Sequence, residues 1–141
     1  MKKYSLQILV FLFCFSAFAQ VGYEPNVVID DSYGMASPTE TAIVDIDNDG
    51  FADVIAAGNS KIAWFKNVNG EANFTNGKTV NNTFSGYHNV VAGDLDNDGD
   101  IDVAFSYWGN NVQVYYWCKN LDGQGNFGAP ILLISGGSFL N

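Results

Sequence analysis

Two stretches decide how this chain folds: Asp45-Ile46-Asp47-Asn48-Asp49-Gly50-Phe51-Ala52-Asp53-Val54 and Asp94-Leu95-Asp96-Asn97-Asp98-Gly99-Asp100-Ile101-Asp102-Val103. They share the pattern D-x-D-x-D-G-x-x-D at an offset of 49 residues. Downstream, Trp64-Phe65-Lys66-Asn67-Val68-Asn69-Gly70 matches Trp117-Cys118-Lys119-Asn120-Leu121-Asp122-Gly123 at an offset of 53, and Asn73-Phe74 matches Asn126-Phe127 at the same offset. The second copy therefore holds four extra residues between Asp102 and Trp117, around Trp108-Gly109-Asn110-Asn111. Two copies with one local insertion mark a duplicated unit, and a fixed period constrains a fold more strongly than any local propensity.

Each copy reads as four strands. Thr41–Val44 and Asn89–Gly93 lead into the acidic stretch, and Val54–Ala57 and Val103–Tyr107 leave it. Ile62–Lys66 and Val112–Lys119 follow after Gly/Asn turns, and Phe74–Val80 and Phe127–Ile134 come last. These runs are rich in β-branched and aromatic residues, which suit a pleated, half-buried surface. Beyond the N-terminal apolar run no window keeps a 3.6-residue apolar period, so little helix is expected. Four-stranded units of roughly 40–50 residues have the period of a β-propeller blade. The expected fold is all-β: four-stranded antiparallel blades over 41–80 and 89–134, plus one extra outer strand over 23–30. That extra strand rests on the likeness of Tyr23-Glu24-Pro25-Asn26-Val27-Val28-Ile29 to Phe127–Ile134. Two blades make an incomplete propeller, since closure takes about 4–8. The chain is accordingly expected to be the N-terminal piece of a longer protein.

The chain has 141 residues, six lysines, no arginine and fifteen acids, for a net charge of −9. An acidic chain without arginine is a poor ligand for nucleic acid, which demands clustered cations. Lys2 and Lys3, the apolar run Leu6–Phe18 and the closing Ala17-Phe18-Ala19 form a leader over 1–19, with cleavage expected before Gln20. The apolar run is short for a membrane span, which takes about 20 residues; an uncleaved anchor is the alternative reading. After cleavage the expectation is a secreted or surface protein with no membrane insertion. Four lysines against fifteen acids then leave −11, and Cys118 alone remains of the two cysteines. A lone thiol in a strand-like run is expected to behave as a small buried hydrophobe.

Nine of the fifteen acids sit in the two repeated stretches, eight of them at the D-x-D-x-D-G-x-x-D positions. Calcium takes 6–8 oxygen ligands, and carboxylates at positions 1, 3 and 5 of a tight loop converge on one point. Glycine at position 6 permits the turn that brings the position 7 carbonyl inward, and an aspartate at position 9 closes the cage. The expected first site is Asp45, Asp47, Asp49, the carbonyl of Phe51, and Asp53; the second is Asp94, Asp96, Asp98, the carbonyl of Asp100, and Asp102. The Asp100 side chain is expected to point away from the ion. Asp-rich hairpin turns would use the same letters, but four carboxylates in one loop repel unless a cation neutralises them. An EF-hand is excluded, because position 12 is Ala56 or Phe105 and the flanks are strand-like. The two Ca²⁺ ions are expected to be structural.

On these residues the chain resembles the FG-GAP/VCBS repeat family, the blades of integrin α-subunit-like propellers. The resemblance covers about residues 22–134: both acidic loops, the strand after each (Asp53-Val54-Ile55 and Asp102-Val103-Ala104), and Asn126-Phe127-Gly128. It implies a calcium loop between the first two strands of each blade, and a secreted or surface module for adhesion, scaffolding or carbohydrate association. The first copy departs at Phe74-Thr75, where the glycine of the Phe-Gly pair is missing.

An enzyme needs a placed acid, base or nucleophile. His88 is the only histidine and has no Ser or Cys partner motif; a turn or rim position before the strand is expected for it. The chain is therefore read as non-catalytic. Tyr107 and Trp108 lie beside the Gly109-Asn110-Asn111 turn and have no counterpart in the first copy, so as an exposed pair on a loop they are candidates for contact with a sugar ring or a protein partner. Trp117 aligns with Trp64 and is expected in the blade core. The partner is expected to be an extracellular protein or glycan; the alternative is the non-catalytic propeller portion of a secreted carbohydrate-active enzyme or carbohydrate-binding protein.

Overall fold

The computed structural model describes Ile29, residues 34–35 and residues 37–135. The expected leader and, Ile29 apart, the expected outer strand over 23–30 lie outside the described residues. Eight strands form two antiparallel sheets: β1 (Glu40–Val44), β2 (Asp53–Ala57), β3 (Ile62–Phe65) and β4 (Lys78–Asn81), then β5 (Tyr87–Gly93), β6 (Asp102–Gly109), β7 (Val112–Cys118) and β8 (Ile131–Ser135). Each sheet is a meander, ordered β1-β2-β3-β4 and β5-β6-β7-β8. The all-β reading and the two four-stranded units hold, with the sheets packed together but not closed into a ring. Among the described residues no helix is long and apolar enough to cross a membrane.

Side-chain alternation sorts residues between the layers. In β1, Ala42 and Val44 turn inward, while Ile43 is 73% exposed. β2 and β3 are apolar on both faces, as central strands covered from two sides must be. One face, with Ile55, Ala57, Ile62, Trp64 and Val80, meets Tyr87, Val90, Val103, Phe105 and Cys118 of the second sheet in the main core. The opposite face buries Ala56, Ala63 and Phe65 under Ile29, Met35 and Phe74. Burying a branched or aromatic side chain contributes about 1.5–3 kcal/mol, so this layer between sheets dominates the fold. Burial also pushes the Cys118 thiol up to about 11, as suits an inert core position.

The two sheets are tied by the turn that follows β7. Asn120 donates its Nδ2 hydrogen to the Ile46 carbonyl at 3.2 Å, and Gln124 Nε2 donates to the Asp47 carbonyl at 3.2 Å. Gly125, at φ 73°, lies against Trp64, where a Cβ would fall inside the indole. Trp64 is consequently buried, whereas its repeat partner Trp117 is only half-buried. Ile46 and Leu95 differ in the same way, fully buried against 49% exposed. Among the described residues no third sheet covers the far face of the second, so equivalent positions have different environments.

Three expectations need correction. The fourth strands begin at Lys78 and Ile131, not at Phe74 and Phe127. Phe74 and Phe127 make single antiparallel bridges to Asn67 and Asn120, and pairing resumes one residue out of step, at Trp64↔Lys78 and Trp117↔Ile131. In the second copy Pro130, which has no N–H to donate, sits in that break. His88 lies inside β5, at a register shift between Tyr87 and Val90, rather than in a turn before the strand. The insertion adds no separate loop: it lengthens β6 and β7 into a hairpin closed by Gly109↔Val112. Asn110 and Asn111 both have positive φ (52° and 63°), the backbone a tight two-residue hairpin requires.

Candidate metal centres

Each acidic stretch joins the first two strands of its sheet, β1 to β2 and β5 to β6. The two loops have the same shape for the same reasons. Position 4 is a left-handed asparagine (Asn48 φ 56°, Asn97 φ 64°), a conformation asparagine tolerates. Position 6 is glycine at φ 91° or 93°, with open space where a Cβ would lie, so backbone conformation alone demands it. Asp45 accepts the N–H of Asp49 at 3.1 Å and of Gly50 at 2.8 Å; Asp94 accepts those of Asp98 at 3.1 Å and Gly99 at 3.0 Å. Asp49 and Asp98 in turn accept the N–H of Phe51 (2.9 Å) and Asp100 (3.0 Å).

These bonds coil the loops so that carboxylates converge. Asp45, Asp47 and Asp49 each bring a carboxylate oxygen within 4.8 Å of the others, as do Asp94, Asp96 and Asp102. At position 7 the side chains turn elsewhere: the Phe51 ring covers Gly70, and the Asp100 carboxylate lies against the equivalent Gly123. Asp53 and Asp102 are fully buried. Asp53 accepts N–H groups from Ile46 (3.1 Å) and Asn67 (2.7 Å), and Asp102 from Leu95 (3.2 Å) and Asn120 (2.8 Å). The position 9 aspartate thus braces the loop to the start of the following turn. Burial raises both carboxyls above the ordinary range, against the opposing pull of those N–H groups.

The sequence reading missed Lys66 and Lys119. Lys66 pairs with Asp47 and, at 2.6 Å, with Asp49; Lys119 pairs with Asp96 and, at 2.7 Å, with Asp98. The available signal was the repeated W-x-K-N, which places two of the four lysines beyond residue 19 at one repeat position. Hydrogen bonds from these lysines, followed by backbone N–H groups, hold Asp49 and Asp98 below the usual carboxylate range. Burial works to lower the Lys66 ammonium, yet Asp47 and Asp49 outweigh it and push it up to about 12. Lys119 is raised chiefly by its hydrogen bonds to Asp96 and Asp98.

The loops are not equally enclosed. Asp47 is 7% exposed, beneath the Gln124 turn that bonds its carbonyl, and its Oδ1 is buried with no hydrogen-bond partner. Asp96 is exposed, because no further turn lies over the second loop. A buried orphan carboxylate oxygen beside two more carboxylates is a donor set that a hard cation satisfies.

Tyr107 and Trp108 part company. Tyr107 is half-buried and stacks on Phe84 (centroids 4.3 Å apart, 12° between planes) in a cluster with Phe105 and Tyr116. Trp108 is 53% exposed near the tip of the long hairpin and meets His88 edge-on at 6.2 Å.

Residues 45–105, from the first aspartate of one loop to just past the last aspartate of the other, match the family model of the FG-GAP-like repeat. This stretch is similar to an FG-GAP-like repeat. The match contains both acidic loops and agrees with the resemblance drawn from the sequence motifs. No curated protein and no solved structure matches the chain. In the matched stretch each loop joins two adjacent antiparallel strands.

Proposed function

We propose that the chain is a secreted calcium-binding repeat module of the propeller type, serving extracellular interaction, adhesion or scaffolding through a protein or glycan partner. The observation that carries this reading is the repetition of one carboxylate-lined loop at matching positions of two sheets, with a buried, partnerless Asp47 Oδ1 in the first. Asp45, Asp47, Asp49 and the Phe51 carbonyl would hold one Ca²⁺, and Asp94, Asp96, Asp98, Asp102 and the Asp100 carbonyl the other. Asp53 would act through the backbone it braces. Bound Ca²⁺ supplies charge neutralisation and a cross-link across the loop; the chain supplies the coil that gathers the oxygens. The leader over 1–19 supports export.

Exported modules hold calcium with Kd near 10⁻⁴–10⁻³ M. At about 1 mM calcium, a site of roughly 0.1 mM Kd contributes about 1.4 kcal/mol, and two contribute about 3 kcal/mol. The melting temperature should therefore rise on the order of 10 °C between EDTA and millimolar calcium, with two binding events by calorimetry. Identical melting curves under both conditions would refute the reading. A second reading, the carbohydrate-associated one, is favoured by the exposed Trp108 beside His88, an aromatic face of the kind that stacks on a sugar ring.

A further inference from the structure

Lys66 and Lys119 occupy the same repeat position, and each places its ammonium on the aspartates at positions 3 and 5 of its own loop. They are held there from both sides. The next residue is pinned when Asn67 N–H bonds Asp53 and Asn120 N–H bonds Asp102. The lysine carbonyls are pinned by Thr75 N–H and Gly128 N–H, each at 2.8 Å. The backbone of each lysine is therefore fixed beside the loop that its ammonium reaches. It lies on oxygens that a cation bound in the loop would need, and two positive centres cannot share those oxygens without strong repulsion.

We infer that Lys66 and Lys119 are tethered counterions that compete with the loop cation and make the sites selective for multivalent ions. This rests on the cation reading above. With no cation bound, each lysine neutralises its loop and keeps the coil formed. For a cation to enter, the ammonium must leave two carboxylates. A monovalent ion would replace one positive charge by another and gain nothing over a group already held at high local concentration. A divalent ion brings twice the charge to the same oxygens. The lysines thus lower calcium affinity and exclude sodium and potassium.

The test is calcium calorimetry on the chain from residue 20 onward, unaltered and carrying Lys66→Met and Lys119→Met, which keep side-chain bulk and remove the charge. The double variant should bind calcium at least about tenfold more tightly at each site. Its melting temperature in EDTA should rise with added NaCl, while that of the unaltered chain stays level. Equal calcium affinity in both proteins overturns the inference and leaves the cation reading intact; no calcium binding by either overturns the cation reading itself. Should the variant not fold, lysine-selective ¹⁵N spectra of the unaltered chain decide the matter. Calcium should shift the Lys66 and Lys119 ammonium signals and speed their hydrogen exchange, and ammonium signals unmoved by bound calcium would overturn the competition.

Discussion

Asp53→Asn offers the sharpest test of how the loops are built, because it separates the brace from the cation. Asp53 is fully buried and uses both oxygens on backbone N–H groups, one at the loop start (Ile46) and one at the turn after β3 (Asn67). Asparagine can keep one of these bonds through its carbonyl, but turns an NH₂ toward the other donor. The loss is one hydrogen bond to a charged acceptor, about 1.5–3 kcal/mol, plus an orphaned buried donor at about 1–3 kcal/mol. Relief from burying a carboxylate, the cause of its raised pKa, returns part of this. The net cost is about 3 kcal/mol. Measured by urea unfolding in EDTA, where no calcium contributes, the midpoint should fall by roughly 2 M at a slope of about 1.5 kcal/mol/M. Asp102→Asn should behave alike, since its two bonds are equivalent. A change below about 0.5 kcal/mol in EDTA would refute the brace and return Asp53 to the cation's ligands alone.

Gly125→Ala should cost several kcal/mol, roughly 2–4, because the new Cβ enters the Trp64 ring at positive φ, whereas Gly86→Ala at φ 72° has open space and should cost only about 1 kcal/mol; similar thermal shifts for the pair would argue against the Gly125–Trp64 contact. In EDTA the acid limb has two opposed contributions. Asp49 and Asp98, with lowered pKa values, contribute stability that is present above 3.8 and lost as pH falls below it. Asp53 and Asp102, with raised values, favour folding as pH falls toward 3.8 from above. The melting temperature should therefore hold or rise slightly before it drops, and the drop should be shallower in Lys66→Met/Lys119→Met; an identical acid limb would contradict the ion pairs as its cause. On a glycan array, Trp108→Ala should lose whatever binding the unaltered chain shows, while no binding by either protein removes the sugar-stacking reading.

The fold was legible wherever the determining chemistry is local. Loop shape follows from aspartates two apart with asparagine and glycine at positions 4 and 6, and β-branched runs between Gly/Asn turns marked the strands. The fourth strands were misplaced because Phe74 and Phe127 look continuous with the strand residues downstream of them, and only the cross-strand register shows the pairing slip. Lys66 was visible as a repeated letter but not as a partner of Asp47 and Asp49, since nothing in the order of residues says that it reaches a loop 17 to 19 positions earlier.

By itself the sequence determined the repeat, the strand count within it and the two carboxylate loops, because spacing along a chain dictates which side chains a tight turn can gather. Only the tertiary structure decided what those side chains meet. It set Asp53 and Asp102 on backbone donors, brought Lys66 and Lys119 into the loops, and laid the Asn120–Gly125 turn over Ile46, Asp47 and Trp64. Equivalent residues therefore end in unequal places, Asp47 enclosed and Asp96 open, Trp64 buried and Trp117 half-exposed. The repeat copies letters, but burial depends on which sheet lies alongside, and in the described residues the first sheet has a neighbour where the second has none.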